Sequence, residues 1–130
     1  GVDAARTRDV FFSDRYGLRA LVVEQAGAVV GYASHRLEFE SAFNAVGRYL
    51  SDLYVAPGHR RRGVARALIA AVARLTADEG GAFVWWVARA DPQATDALYR
   101  RLADVEAPVT AFAATQDRFR ALAAAASDKP

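Results

Sequence analysis

At 130 residues, 53% of them apolar and 25% charged, the chain has the length and ordinary composition expected of one globular domain, large enough for a real core but short of two. It has no cysteine, so disulfides, a thiolate nucleophile and thiolate metal ligands are excluded, and its two histidines, His35 and His59, are too far apart in sequence to suggest a metal site. A net charge of only +2 argues against general nucleic-acid affinity, yet every cationic residue except Lys129 is an arginine, whose forked guanidinium suits phosphate and carboxylate.

In chain order, Asp3–Phe12 reads as a short helix that ends near Ser13-Asp14. Arg19–Gln25 and Ala28–Phe39 are strand-like, and Ala26-Gly27 between them marks a tight hairpin turn. Glu40–Gly47 is expected as a loop and Tyr49–Val55 as the next strand. Val64–Ala77 is a helix with Leu68, Val72 and Leu75 on one side, stopped by Gly80-Gly81. Ala82–Ala88 (AFVWWVA) is apolar without alternation, as a strand buried on both faces would be. Asp91-Pro92 starts a helix carrying Leu98, Tyr99 and Leu102. Val109–Thr115 reads as a final strand, Gln116 to about Ala125 as a last helix, and Ser127–Pro130 as a frayed tail.

The order α-β-β-β-α-β-α-β-α predicts a mixed α/β sheet, with antiparallel strands first and a β-α-β crossover after them. No apolar run approaches the roughly 20 residues that span a bilayer, and the N-terminus lacks a secretory h-region. A cytoplasmic protein without a membrane partner is expected.

The most informative segment is LYVAPGHRRRGVARA, Leu53 to Ala67. A strand stops at Pro57-Gly58, four basic residues follow (His59, Arg60, Arg61, Arg62), and Gly63-Val64-Ala65 opens the helix. The first-turn N–H groups of a helix lack intrahelical partners, and its macrodipole adds about half a positive charge there. With no Cβ at Gly63, a phosphate can approach the main chain closely. A solvated basic turn before an ordinary helix is the plainer alternative, because a short Gly/basic loop is a weak motif.

The run YLSDLYVAPGHRRRGVARAL resembles the central motif of the GNAT superfamily of N-acetyltransferases, in which a strand ending Leu-hydrophobic-Val is followed by Arg/Gln-x-x-Gly-x-Gly/Ala. Here the second part is Arg60-Arg61-Arg62-Gly63-Val64-Ala65, and the likeness extends from about Arg19 to Thr115 through AFVWWVARADPQATDALYRRLA. Within the superfamily the pattern is most similar to the diamine (spermidine/spermine-type) branch. The resemblance implies a single GNAT domain over residues 1–130, α/β (α+β) in class, with a mixed, mostly antiparallel central sheet and helices on both faces. It implies acetyl-CoA as donor, a small-molecule amine as acceptor, and a homodimer. Leu53, Tyr54 and Val55 would lie along the pantetheine arm. Arg60, Arg61, Arg62, Gly63, Val64, Ala65 and Arg66 would surround the pyrophosphate. Tyr99 matches the family's tyrosine general acid, and Asp91 stands where the family has an asparagine near the cofactor.

These roles fit the chemistry of amide formation. Amine attack on a thioester creates an oxyanion, and each preorganised donor to it is worth about 3–4 kcal/mol. A leaving thiolate, with a free pKa of about 8.5, takes a proton from a nearby phenol, and an aliphatic amine, with a pKa of about 10, must lose one. Asp52 is the carboxylate in the motif strand that can collect that proton, directly or through water; a loop-capping structural role is its ordinary reading. Ser51 stands where the polyamine enzymes have glutamate and Arg89 where they have another acid, which argues against spermidine or spermine as acceptor. Ser51, Trp85 and Trp86 are candidate acceptor contacts, although the tryptophans read equally well as core, as does Tyr99. His35 reads as a strand-surface residue, and Glu38 and Glu40 as a solvated face. The family's usual first strand and helix have no counterpart before Arg19, so an N-terminally truncated chain, or a different element over the edge strand, is expected. A non-catalytic acyl-CoA-binding module is the second reading of the same motif.

Overall fold

The structure is a computed structural model in which residues 4–88 and 94–126 are described. The chain divides into two compact units, Gly1–Asp96 and Ala97–Pro130.

The first unit is built on a four-stranded sheet in the order β1-β2-β3-β4, with β1 Leu18–Gln25, β2 Ala28–Glu40, β3 Ala45–Val55 and β4 Val84–Trp86. The hairpin between β1 and β2 forms as expected. Ala26 and Gly27 both take positive φ (51° and 79°), the pairing of left-handed residues that matches the twist of a two-residue hairpin. β2 and β3 are also antiparallel, while β3 and β4 run parallel. β3 begins earlier than the sequence suggested. The loop contracts to Ser41–Asn44, where Phe43 N donates to Glu40 O at 3.1 Å and Asn44 N donates to Ser41 O at 3.2 Å.

Helix α1 (Ala4–Phe12) packs against β1, and helix α2 (Val64–Asp78) lies across all four strands. α2 buries Val64, Leu68, Ile69 and Val72 over Ala33 and Leu50. Gly31 makes this close approach possible: a Cβ there would stand 2.9 Å from Val64 Cγ1 and 3.0 Å from the Tyr54 carbonyl oxygen. The helix stops as Gly80-Gly81 predicts. Gly80 adopts φ 85°, its N–H donates to Ala77 O at 3.0 Å, and Gly81 N–H donates to Thr76 O at 2.9 Å, the double hydrogen bond of a Schellman end.

Three expectations need correction. The strand expected over Ala82–Ala88 is only Val84–Trp86, half-buried rather than buried on both faces, and Val87 and Ala88 leave the sheet. His35 is not on the surface: it is 0% exposed, because unbroken alternation along β2 places it with Gly31 and Ala33 on the helix-covered face, where it lies opposite Leu50. Its Nδ1 lies 3.1 Å from Nη1 of Arg48, which is 1% exposed, and Arg48 Nη2 donates to Glu79 Oε2 at 2.6 Å. The third correction falls in the second unit. Val109–Thr115 forms no strand; Val109 and Phe112 stand exposed, with no strand neighbour for them among the described residues.

The second unit otherwise contains helix α4 (Gln116–Ala125), at the predicted position, and an Arg100–Glu106 ion pair of 2.7 Å. Helix α3 (Ala94–Leu102) runs from the end of the first unit into the second; the expected start at Asp91-Pro92 lies outside the described residues. Among the described residues no helix is long and apolar enough to cross a membrane.

Candidate active site

The site begins at a defect in the sheet. Ser34 pairs with Asp52 and His35 with Leu50, so Ser51 is an extra residue on β3. Such a bulge bends its strand and re-aims the neighbouring side chains. At the same place β3 loses its other neighbour. Parallel pairing with β4 covers only Arg48–Val84, Tyr49–Trp85 and Leu50–Trp86, whereas β3 continues to Val55. Main-chain groups on that edge of Ser51–Val55 therefore have no strand partner in β4. A chain of amides can align there as a further strand would.

The free edge leads into the basic turn. A 3₁₀ turn, Pro57–His59, follows β3, and Ala56 N–H donates to Val30 O at 2.8 Å, tying the turn to β2. Arg60 Nε donates to Val55 O at 3.1 Å. Arg61 and Gly63 both take positive φ, 64° and 79°, and reverse the chain into α2. The N-cap is Gly63, with no side-chain cap on the first turn; the ladder starts at Ala67 N–H to Gly63 O, 3.0 Å. The amides of Val64, Ala65 and Arg66 precede the first hydrogen bond of the ladder, and a helix N-terminus in that state favours an anion. A Cβ on Gly63 would meet nothing within 4 Å, so the space in front of the helix is open. Arg60, Arg61, Arg62 and Arg66 are exposed around it. Val64 can contribute only its amide, since its side chain is buried under α2.

The face of the sheet away from α2 carries the remaining candidates of the first unit. Ser34 and Asp52 form one row, Arg36, Tyr49 and Trp85 the next, and Tyr32 with Tyr54 the row on the other side. The Tyr49 and Trp85 rings are 4.6 Å apart, the Arg36 guanidinium lies 5.2 Å from the Tyr49 ring centre, and Tyr32 and Tyr54 are 5.6 Å apart. Asp52 is thus an exposed carboxylate between two aromatic pairs. Trp85 shares its face, and its buried indole N–H has no partner among the described residues. Trp86 pairs with Leu50 and belongs to the opposite, helix-covered face, so strand alternation separates the two tryptophans.

Tyr99 lies half-buried on α3, in the second unit. Asp91 and Arg89 lie outside the described residues. Sequence reasoning missed Ser34 and the Ser51 bulge. A lone serine inside a strand carries no signal, and a bulge has none without knowledge of the register.

The model of the acetyltransferase (GNAT) family matches residues 3–103. The chain belongs to that family. This acetyltransferase is accordingly an enzyme that takes its acetyl group from acetyl-CoA and delivers it to an amine nitrogen. Comparison with curated proteins gave no match. Among solved structures, it is 27% identical to an aminoglycoside acetyltransferase from an uncultured soil metagenomic sample (TM-score 0.74, covering 89% of this chain and 76% of that one). Two others share the fold. An integron cassette protein from V. cholerae is 16% identical (TM-score 0.78, 94% and 78% covered), and an aminoglycoside N-acetyltransferase, AAC(6')-Iy, in complex with CoA is 21% identical (TM-score 0.66, 77% of each). The likeness to the diamine branch finds no support in these matches.

Proposed function

We propose that this acetyltransferase acts in the cytoplasm on a primary amine of a small molecule by direct attack, as one domain over residues 1–130. The observation that carries the reading is the coincidence of three features in one stretch: the edge of Ser51–Val55 left free by β4, the bulge at Ser51, and the uncapped N-terminus of α2 behind Arg60–Arg62. A free strand edge fits the amides of a pantetheine arm along Leu53, Tyr54 and Val55. The open first turn, with Gly63, Val64, Ala65 and Arg66 and the guanidinium groups before it, fits a pyrophosphate. Bound there, acetyl-CoA supplies an activated acyl group and a thiolate leaving group.

In this reading Asp52 takes the proton of the attacking amine, and Tyr99, from its place in the family pattern, protonates the departing thiolate. Ser51 and Trp85 border the acceptor, with Trp86 behind the strand. Aminoglycosides are the first acceptors to test, since a solved enzyme 27% identical to this chain carries that name. The exposed carboxylate of Asp52 between aromatic rings suits an ammonium group on a ring-bearing molecule. A homodimer remains part of the proposal, with edge strand β1 as the contact candidate.

The test is thiol release from acetyl-CoA with sisomicin, spermidine and simple alkylamines as acceptors, beside calorimetry with CoA. CoA binding together with release on at least one amine supports the proposal. Tight binding with no release on any amine overturns it in favour of an acyl-CoA-binding module. No association at millimolar CoA removes the cradle itself.

A further inference from the structure

Asp52 is exposed, and an exposed carboxylate on a strand ordinarily samples several rotamers. Here it does not stand alone. Ser34, on β2 directly across from it, is 1% exposed, and its Oγ donates to Asp52 Oδ2 at 2.9 Å. The Ser51 hydroxyl lies 2.9 Å from the same Ser34 oxygen and 3.3 Å from the Ser34 carbonyl oxygen. A proton inventory gives this cluster a direction. A carboxylate can only accept, and a serine has one hydroxyl proton, so the Ser34 proton is committed to Asp52. Ser51 is then the donor to Ser34, and the chain of hydroxyls runs Ser51 to Ser34 to Asp52. Oδ2 is held, and Oδ1 is left without a hydrogen bond among the described residues. The bulge makes the arrangement possible: the extra residue brings two consecutive β3 side chains, Ser51 and Asp52, within reach of one β2 hydroxyl.

We propose that Ser34 is a positioning residue for acetyl transfer, its buried hydroxyl fixing the Asp52 carboxylate through Oδ2 so that Oδ1 is the atom that accepts the acceptor's proton, with Ser51 polarising Ser34 from behind. The inference rests on the reading of Asp52 as proton acceptor. The step balances: the amine lone pair forms the new N–C bond as the thioester C=O pair moves onto oxygen, the amine proton goes to Oδ1 and leaves its bonding pair on nitrogen, the oxyanion collapses with cleavage of the C–S bond, the thiolate departs and takes its own proton, and the Ser34 proton stays on its oxygen.

The test compares Ser34→Ala, Ser51→Ala, Asp52→Asn and the double variant Ser34→Ala/Asp52→Asn, with sisomicin as acceptor and CoA affinity as the check on folding. Ser34→Ala is expected to lower kcat about tenfold, the scale of one hydrogen bond to a charged group, with CoA affinity unchanged. The loss is expected in kcat rather than in the KM for sisomicin, and Ser34→Thr, which keeps the hydroxyl, is expected to restore most of it; a merely structural serine would give neither result. Ser51→Ala, at an exposed position with little risk to folding, is expected to lower kcat in the same way by less. The double variant is expected to be no slower than Asp52→Asn, because the serine then has no carboxylate to hold. An unchanged kcat in both serine variants, with Asp52→Asn crippled, overturns the positioning role and spares the proton acceptor. Asp52→Asn at full rate overturns both.

Discussion

Gly63 is the residue at which backbone geometry bears on the proposed cofactor site. Its φ of 79° lies in the left-handed region, and a side chain there would strain the main chain without touching a neighbour. Gly63→Ala should therefore cost about 1–2 kcal/mol, the ordinary penalty of an L-residue in that conformation. The first amides of α2 would also turn away from the open space before them. A lower melting temperature and a several-fold weaker CoA affinity are expected together; an alanine variant that binds CoA as tightly as the parent would contradict the cradle. Tyr99 is tested separately, because its role comes from the family pattern. Tyr99→Phe keeps the ring and removes the acid, so the transfer rate should fall by about 100-fold or more with CoA affinity preserved. A rate within twofold or so of the parent would return Tyr99 to the ordinary standing of a helix aromatic.

Between elements, the decisive contact is where β4 meets β3. Arg48 N–H donates to Phe83 O at 3.1 Å and Ala82 N–H to Val46 O at 2.9 Å, bracketing Gly47. A Cβ on Gly47 would stand 2.3 Å from the Phe83 carbonyl oxygen, which is main chain and cannot swing aside. Gly47→Ala should push β4 off β3 and destabilise the protein by about 1–3 kcal/mol, the range for overpacking. CoA affinity should weaken with it, since the free edge of β3 begins just beyond that pairing; denaturant unfolding and calorimetry on one sample measure both. Denaturation unchanged from the parent would mean the strands tolerate separation.

The same junction shows what could be read in advance. The hairpin, the β3-turn-α2 unit and the Gly80-Gly81 stop were legible because each is local: a turn dipeptide, a glycine at a helix end, a 3.6-residue period. Val109–Thr115 carries a strand's apolar residues but forms no strand, because pairing depends on an edge elsewhere that composition does not reveal. Ala82–Ala88 shrank to three residues for the related reason that its partner strand bends away at the bulge. For the site, the residues proposed as the cradle stand out in the sequence as a motif. The hydroxyl behind Asp52 was not, because Ser34 and Ser51 meet only through that bulge.

Across the whole first unit, one buried polar chain ties the sheet to the end of α2. Arg48 cannot accept a hydrogen bond, so its Nη1 donates to His35 Nδ1, and the imidazole must carry its proton on Nε2. Burial, reinforced by the Arg48 and Arg19 guanidinium groups, lowers the His35 pKa from 6.5 to about 4, with only Glu79 pulling the other way. The hydrogen bond from Arg48 holds Glu79 below the ordinary carboxylate range. For His35 the folded value is below the unfolded one. Between the two the unfolded chain binds a proton that the folded chain refuses, so the stability is full above about pH 6.5 and drains away as the pH falls toward about 4. The shift corresponds to about 3 kcal/mol, of which roughly 2.5 should be gone at about pH 4.5. Glu79 acts with the same sign, its contribution present above the unfolded carboxylate value and lost as the pH falls through the folded one. Urea unfolding at about pH 7.5 and about pH 4.5 should show that loss, and His35→Gln, whose amide oxygen can still accept from Arg48 but does not titrate, should remove most of it. If the parent protein is equally stable at both values, the proton placed on Nε2, and with it the neutral imidazole that joins β2 to β3 and α2, is wrong.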